Sequence, residues 1–267
     1  MEESQRPTLE KALAKTEQDA DVSLKAARAV VASLAKFRNA AKLGTLKELH
    51  AAIETAEKAE AALRQQIANA KTGWDFNEEA YLSDGSFVRE ILDTAKQKEL
   101  GIYERDQRLY CYPVLIRVLP NERAVQIDKI REKRLRPAVL VDHLKELQKR
   151  PTRFRPEAFL EALYEAYRMA VKSRQKGLLP TSGTVIPLLE IYGLFTMLPG
   201  QSKEYSGQEF GRDIYLLDRS GEAVAKDGSR VSFPASTGTR LVSRTLSVIN
   251  EYGEEKRYYG IAFSAPS

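Results

Sequence analysis

The stretch "KLGTLKE", residues 42–48, decides how the first quarter of the chain folds. Gly44 can take the left-handed backbone that closes one helix, while Thr45 and Glu48 have the T-x-x-E spacing of a capping box that opens the next. Helix is expected on both sides of this break. No Pro or Gly interrupts residues 8–43, and Ala, Glu, Lys, Gln and Leu dominate from there to residue 72. The expectation is an antiparallel, coiled-coil-like helical hairpin. Apolar residues recur in 4-3 steps at Ala20, Leu24, Ala27, Val31 and Leu34. A second stripe runs Leu46, Leu49, Ile53, Ala56, Leu63, Ile67 and Ala70, with Glu60 as its one lapse. Alanine-rich stripes bury little apolar area per turn, so the hairpin is expected to need a partner. Leu24, Val31, Leu34, Leu49, Ile53 and Leu63 are the candidate interface, to a second copy in a homo-oligomer or to another protein subunit.

Beyond Gly73, "WDFNEEAYLSDGS" reads as a polar-aromatic linker, and a helix from about Ser86 carries Phe87, Ile91, Leu92 and Ala95 on one face. Alternating runs at 101–105, 108–118 and 123–129, separated by "RDQ" and "LPNE", predict a three-stranded antiparallel meander. A helix follows, opened by Pro137 and faced by Val139, Val141, Leu144 and Leu147. "RPTRFRPE" is a basic, proline-punctuated linker, which places a boundary near 151–156. After it come a helix at 156–176, a second in "VIPLLEIYGLFTML", and a third capped by Ser206 and Glu209, with strands at 222–233 and 245–263. That element order suggests a winged helix. The predicted architecture is α+β and mostly helical: a hairpin over 1–72, a small α/β module with an antiparallel meander over 73–150, and a winged-helix-like domain over 151–267.

The composition argues against most enzyme classes. Cys111, the sole cysteine, sits in the apolar run "LYCYPVLI" and reads as a small buried hydrophobe, so no disulfide and no cysteine-based zinc motif is expected. The histidines, His50 and His143, are 93 residues apart and suit no acid/base pair. Neither G-x-x-x-x-G-K-[ST] nor G-x-G-x-x-G occurs, nor does HExxH or an EF-hand loop. No cofactor, metal or catalytic residue is therefore assigned. The strongest enzymatic alternative is a metal-dependent nuclease built on Glu104, Asp106, Glu122, Asp128 and Lys129. With neither a signal peptide nor an apolar run of membrane-spanning length, the expected location is the cytoplasm.

Charge points to binding instead. The net +5 divides as +2 over residues 1–72, −4 over 73–128, +7 over 129–155 and 0 over 156–267. The basic segment opens with "IDKIREKRLRPAVL", residues 127–140, where Ile130 and Leu135 would anchor the run and its cations would meet phosphates. The candidate nucleic-acid contacts are Lys129, Arg131, Lys133, Arg134, Arg136, Lys149, Arg150, Arg153 and Arg155, with Arg240, Arg244, Lys256 and Arg257 from the wing. On the third helix Arg212 would join them, facing outward with Gln208 and Arg219, although Glu209 and Asp213 on the same surface would repel phosphate. The leading expectation is a non-catalytic accessory subunit that binds double-stranded DNA within a DNA-processing or antiviral-defence complex, beside a subunit such as an ATPase or nuclease. The alternative is an adaptor that binds only proteins through its coiled coil and winged helix.

Overall fold

A computed structural model describes residues 7–150, 154–174, 183–234 and 245–265. The described chain is α+β and mostly helical, with a long N-terminal helical pair and small antiparallel sheets. It forms two compact units, Met1–Thr94 with Val118–Val125 and Glu132–Asp142, and Ala95–Arg117 with Gln126–Arg131 and His143–Ser267.

The first unit is led by helices α1 (Leu9–Leu43) and α2 (Leu46–Gly73). Gly44 lies at φ 73°, where an L side chain is strained, and the Gly44 and Thr45 N–H groups donate to the Ala41 and Ala40 carbonyls at 3.3 and 3.1 Å. The predicted capping box forms differently. The Thr45 hydroxyl donates to the Glu48 carboxylate at 3.0 Å, with the Ala40 carbonyl of α1 at 3.5 Å, and makes no cap bond to the backbone of α2.

The two helices meet on a seam one residue out of phase with the predicted stripe of α1. Half-buried or buried positions recur at Thr16, Asp19, Ser23, Ala26, Val30, Ser33, Phe37 and Ala40. On α2 the equivalent positions are Leu49, Ala52, Ile53, Ala56, Ala59, Leu63, Gln66 and Ala70. The lapse at Glu60 disappears because Ala59 is the residue that turns inward. Small side chains let the backbones approach, and the Ser23 and Ser33 hydroxyls are satisfied by carbonyls of their own helix, Asp19 and Val30, at 2.9 and 2.8 Å. Leu49, Ile53 and Leu63 therefore face α1, whereas Leu24, Val31 and Leu34 face away from α2 and are 55%, 68% and 48% exposed.

Carboxylates tie the rest of this unit together. The supposed linker contains helix α3 (Glu78–Ser83), whose first turn is capped by the Asn77 side chain accepting from the Ala80 N–H at 3.0 Å. Helix α4 (Ser86–Gln97) supplies Glu90, which accepts from the Leu9 and Glu10 N–H groups at 2.9 and 3.1 Å and from the Tyr81 hydroxyl at 2.6 Å. An anion at the N-terminus of α1 satisfies orphan donors and complements the helix dipole. Glu10 does the same for helix α5 (Pro137–Lys149), accepting from the Ala138 N–H at 2.9 Å. Pro137, Leu140, Val141 and Leu144 are the buried positions of α5, and Val139 is exposed.

The meander has five strands where three were predicted: β1 (Tyr103–Arg105), β2 (Arg108–Cys111), β3 (Val114–Leu119), β4 (Ala124–Ile127) and β5 (Ile130–Glu132), in that spatial order. The run at 108–118 breaks at the cis Tyr112–Pro113 peptide, since proline has no N–H to continue a ladder. Leu109 pairs with Ile116 and Cys111 with Val114 across the resulting hairpin. The front of the basic run supplies β5, and its intended anchor Ile130 is 62% exposed.

The second unit is built around helices α6 (Pro156–Arg174), α7 (Leu188–Phe195) and α9 (Gly207–Ser220), with the single turn α8 (Gln201–Glu204) between the last two. Strands β6 (Ile186–Pro187), β7 (Arg230–Ser232) and β10 (Gly260–Ser264) form an antiparallel sheet in the order β6-β10-β7. A separate hairpin joins β8 (Leu246–Ile249) to β9 (Glu255–Tyr258), with Asn250–Glu254 as its turn. Leu160, Leu163, Ile191, Phe210, Ile214 and Ile261 are fully enclosed at the centre of this unit's core. Each such side chain contributes about 1.5–3 kcal/mol through burial. Phe159, Tyr192, Phe195 and Tyr205 ring Phe210 with centroids 5.5–6.1 Å away.

Candidate nucleic-acid interface

Helix α9 begins with a complete capping box: the Ser206 hydroxyl accepts from the Glu209 N–H, and the Glu209 carboxylate accepts from the Ser206 N–H at 2.8 Å. This geometry turns Glu209 inward, where Lys129 Nζ approaches its carboxylate at 3.4 Å. The hydrogen bonds at Ser206 and the cation at Lys129 hold Glu209 below the usual carboxylate range in spite of its burial.

One turn later Arg212 lies largely buried between two acids, Asp128 and Asp213. Its Nη1 donates to Asp128 at 2.5 Å and its Nε to Asp213 at 2.9 Å, while the Tyr205 hydroxyl donates to Asp213 at 2.7 Å. Burial pushes the Asp213 carboxyl up, against the pull of Arg212. The predicted outward surface of the third helix is therefore corrected. Glu209 and Asp213 point into the unit together with Phe210, Ile214 and Leu217, and Arg212 keeps only 16% of its side chain exposed. Gln208 donates weakly to the Asp106 carbonyl at 3.4 Å, and Arg219 pairs with Glu251.

The remaining described cations are mostly matched with carboxylates. Within the first unit Arg134 grips Glu132 through Nε at 3.0 Å and Nη2 at 2.5 Å. Arg136 reaches Glu10 and Glu17 on α1 at 2.7 and 2.6 Å. Within the second unit Lys149 pairs with Glu146 at 2.7 Å and Arg257 with Glu255 at 2.7 Å. Lys256 bridges to Asp218 at 2.6 Å and lies over the Tyr215 and Tyr258 rings. Arg131, Lys133, Arg150 and Arg155 are exposed. Arg153, Arg240 and Arg244 lie outside the described residues. Beside Arg257, Tyr258 is core and Tyr259 is half-buried.

Counting cations along the chain could not reveal these matches, because Glu10 sits 126 positions before Arg136 and Asp128 sits 84 before Arg212. Arg105 shows the same long-range pairing, to Glu255 at 2.8 Å. Exposed pairs of this kind contribute little, so phosphate can compete for Arg134 or Lys149; the largely buried Arg212 is committed to the core.

The carboxylates considered for a nuclease are dispersed or occupied. Glu104 is exposed on β1, Asp106 leans on Arg105 at 3.5 Å, and Asp128 accepts from both Arg212 and the Leu115 N–H. Among the described residues no group of three or more His, Cys, Asp or Glu is placed to hold a metal ion. A depression in the second unit, lined by Tyr110, Tyr112, Pro113, Arg212, Tyr215 and Val248, has room for about one water molecule. The chain matches no protein-family model, no curated protein and no solved structure. Among the described residues no helix is long and apolar enough to cross a membrane.

Proposed function

We propose that this protein is a non-catalytic adaptor that assembles with protein partners through its N-terminal hairpin. One observation carries this reading: α1 turns a seam of mostly small and polar residues, with Val30 and Phe37, toward α2 and leaves the aliphatic residues of a second 4-3 stripe, Leu24, Val31 and Leu34, facing solvent. Apolar side chains repeated at that spacing suit a seam for another helix. A winged-helix-like second unit supports the same class of function. Its order of helix, strand, helix, helix, strand and strand over α6, β6, α7, α9, β7 and β10, with the turn α8 before α9, the β8–β9 hairpin inserted between β7 and β10, and the sheet order β6-β10-β7, fits that fold. In this reading α9 is a packing helix rather than a groove reader, in keeping with its burial.

The test compares native complexes recovered from nuclease-treated cells with wild-type protein and with a Leu24→Lys, Val31→Lys, Leu34→Lys variant of unchanged helicity. Partners should be lost with the variant. Recovery of an identical set would sink the adaptor reading.

A DNA-binding accessory role in a DNA-processing or defence complex is the second reading, favoured by the exposed Arg131, Lys133, Arg150 and Arg155 in a chain of pI about 9.1. It requires retention on double-stranded DNA that falls steeply with salt. Glutamate at Lys133 and Arg134 should flatten that slope; a slope unchanged from wild type would remove this reading.

A further inference from the structure

We infer that the partner of the exposed α1 stripe is a second copy of this chain, packed antiparallel about a two-fold axis near Ala29. The inference rests on the adaptor reading and identifies the occupant of the same surface. From Leu24 to Leu34 the stripe is symmetric about that point. With the sequence reversed, Leu24 comes opposite Leu34 of the second copy and Ala27 opposite Val31, so each large aliphatic residue in the centre meets either its counterpart or an alanine. Alternating large and small side chains across a helical seam is what allows knobs to enter holes.

Charge selects the direction. Every carboxylate of α1 lies before the stripe's centre, at Glu10, Glu17, Asp19 and Asp21, where they outnumber Lys11 and Lys15, and after Asp21 the helix carries only cations, Lys25, Arg28, Lys36, Arg38 and Lys42. A parallel pair would set those five cations beside five identical ones. The antiparallel pair instead brings Asp21 beside Lys36 and Arg38 of the second copy, and Glu17 beside Arg38 and Lys42. Glu17 keeps 62% of its side chain exposed while holding Arg136, so it can face a second cation. An isologous contact of this kind closes as a dimer and leaves no free copy of the stripe to propagate a fibre.

Light scattering on the purified full-length chain at rising concentration should show a dimer, and Leu24→Lys with Val31→Lys should leave a monomer of unchanged helicity. Charge exchange then tests the partner and direction together. Asp21→Lys and Arg38→Glu should each weaken the dimer roughly tenfold at low salt, and the double variant should recover part of that loss through the exchanged 21–38 pair, with Lys36 and Glu17 holding back the rest. Cysteine crosslinking gives a second measure, with buried Cys111 out of reach of the oxidant. Residues 24 and 34 of one helix are about 15 Å apart, so Leu24→Cys alone should not form a disulfide dimer in the antiparallel arrangement, and Leu24→Cys with Leu34→Cys should. A chain that stays monomeric at every concentration, or a dimer that ignores the charge exchange, overturns self-pairing. If partner recovery from cells still depends on the stripe in that case, the adaptor reading survives alone; if it does not, both fail.

Discussion

Arg212 and Asp128 are joined at 2.5 Å across 84 positions of sequence, and the same guanidinium also holds Asp213 on its own helix. This ion pair takes the most plausible DNA-reading cation of the third helix out of solution and makes it part of the second unit's frame. Asp128 also accepts the Leu115 N–H at 3.0 Å, so the pair joins α9 to the meander residue that enters the core.

Removing one member should be costly. Arg212→Leu leaves Asp128 and Asp213 without their cation, and the expected loss is about 2–3 kcal/mol in urea unfolding, less than the ~3–5 kcal/mol of a fully buried pair because Asp128 is a third exposed. The sign with pH follows from Asp213, whose carboxyl is already raised by burial. An acid raised in the folded state costs stability when ionised and recovers it as pH falls below its folded value. The Arg212→Leu deficit should therefore be smaller at pH 5 than at pH 8. Equal deficits would place the cost elsewhere.

Glu255 behaves in the opposite sense. Hydrogen bonds from Arg257 first, then Arg105 and Ser247, hold its carboxyl well below the usual range. Its contribution is present above an unfolded value of about 4.3 and is lost as pH falls through the folded one. Stability measured from pH 6 downward should decline more gently in Glu255→Gln than in wild type, and parallel curves would contradict this.

Gly253 occupies φ +83° in the β8–β9 turn, and a Cβ there would collide with the Tyr103 ring. Gly253→Ala should cost about 1–3 kcal/mol, from the left-handed backbone and the collision together. Tyr103→Ala in the same chain should remove the collision and leave the backbone penalty. Thermal unfolding of the single and double variants separates the two, and additive losses would show that the ring yields freely.

Cys111 is enclosed between the meander and Gln148, whose amide donates to its sulfur at 3.6 Å, and burial pushes its thiol up to about 12. A thiol so rarely ionised should not react with a disulfide reagent in the native protein at pH 8, and should react at once in denaturant. Rapid native labelling would mean that this part of the second unit opens readily.

Local signals accounted for much of the architecture. Gly44 ended a helix because only its backbone tolerates the required φ, Ser206 and Glu209 formed their predicted cap, and the alternation in 245–263 produced the β8–β9 hairpin and β10. The Tyr-Pro step that divides the meander, and Asn77 ahead of two glutamates opening α3, were equally local signals, outweighed by longer periodic patterns around them.

The sequence by itself determined where the long helices break and where the last hairpin turns, because caps, prolines and alternation act over a few residues. Only the tertiary structure decided which of two 3-4 stripes on α1 would be its seam, one residue of phase that sends Ser33 and Ala40 inward and Leu24, Val31 and Leu34 outward. Close approach behind a two-residue turn favours small side chains, and hydrophobicity alone ranks the stripes the other way. It also decided that Arg212, Arg136 and Lys129 would meet Asp128, Glu10 and Glu209. Coulomb attraction acts through space, and no count of charges along the chain contains those distances.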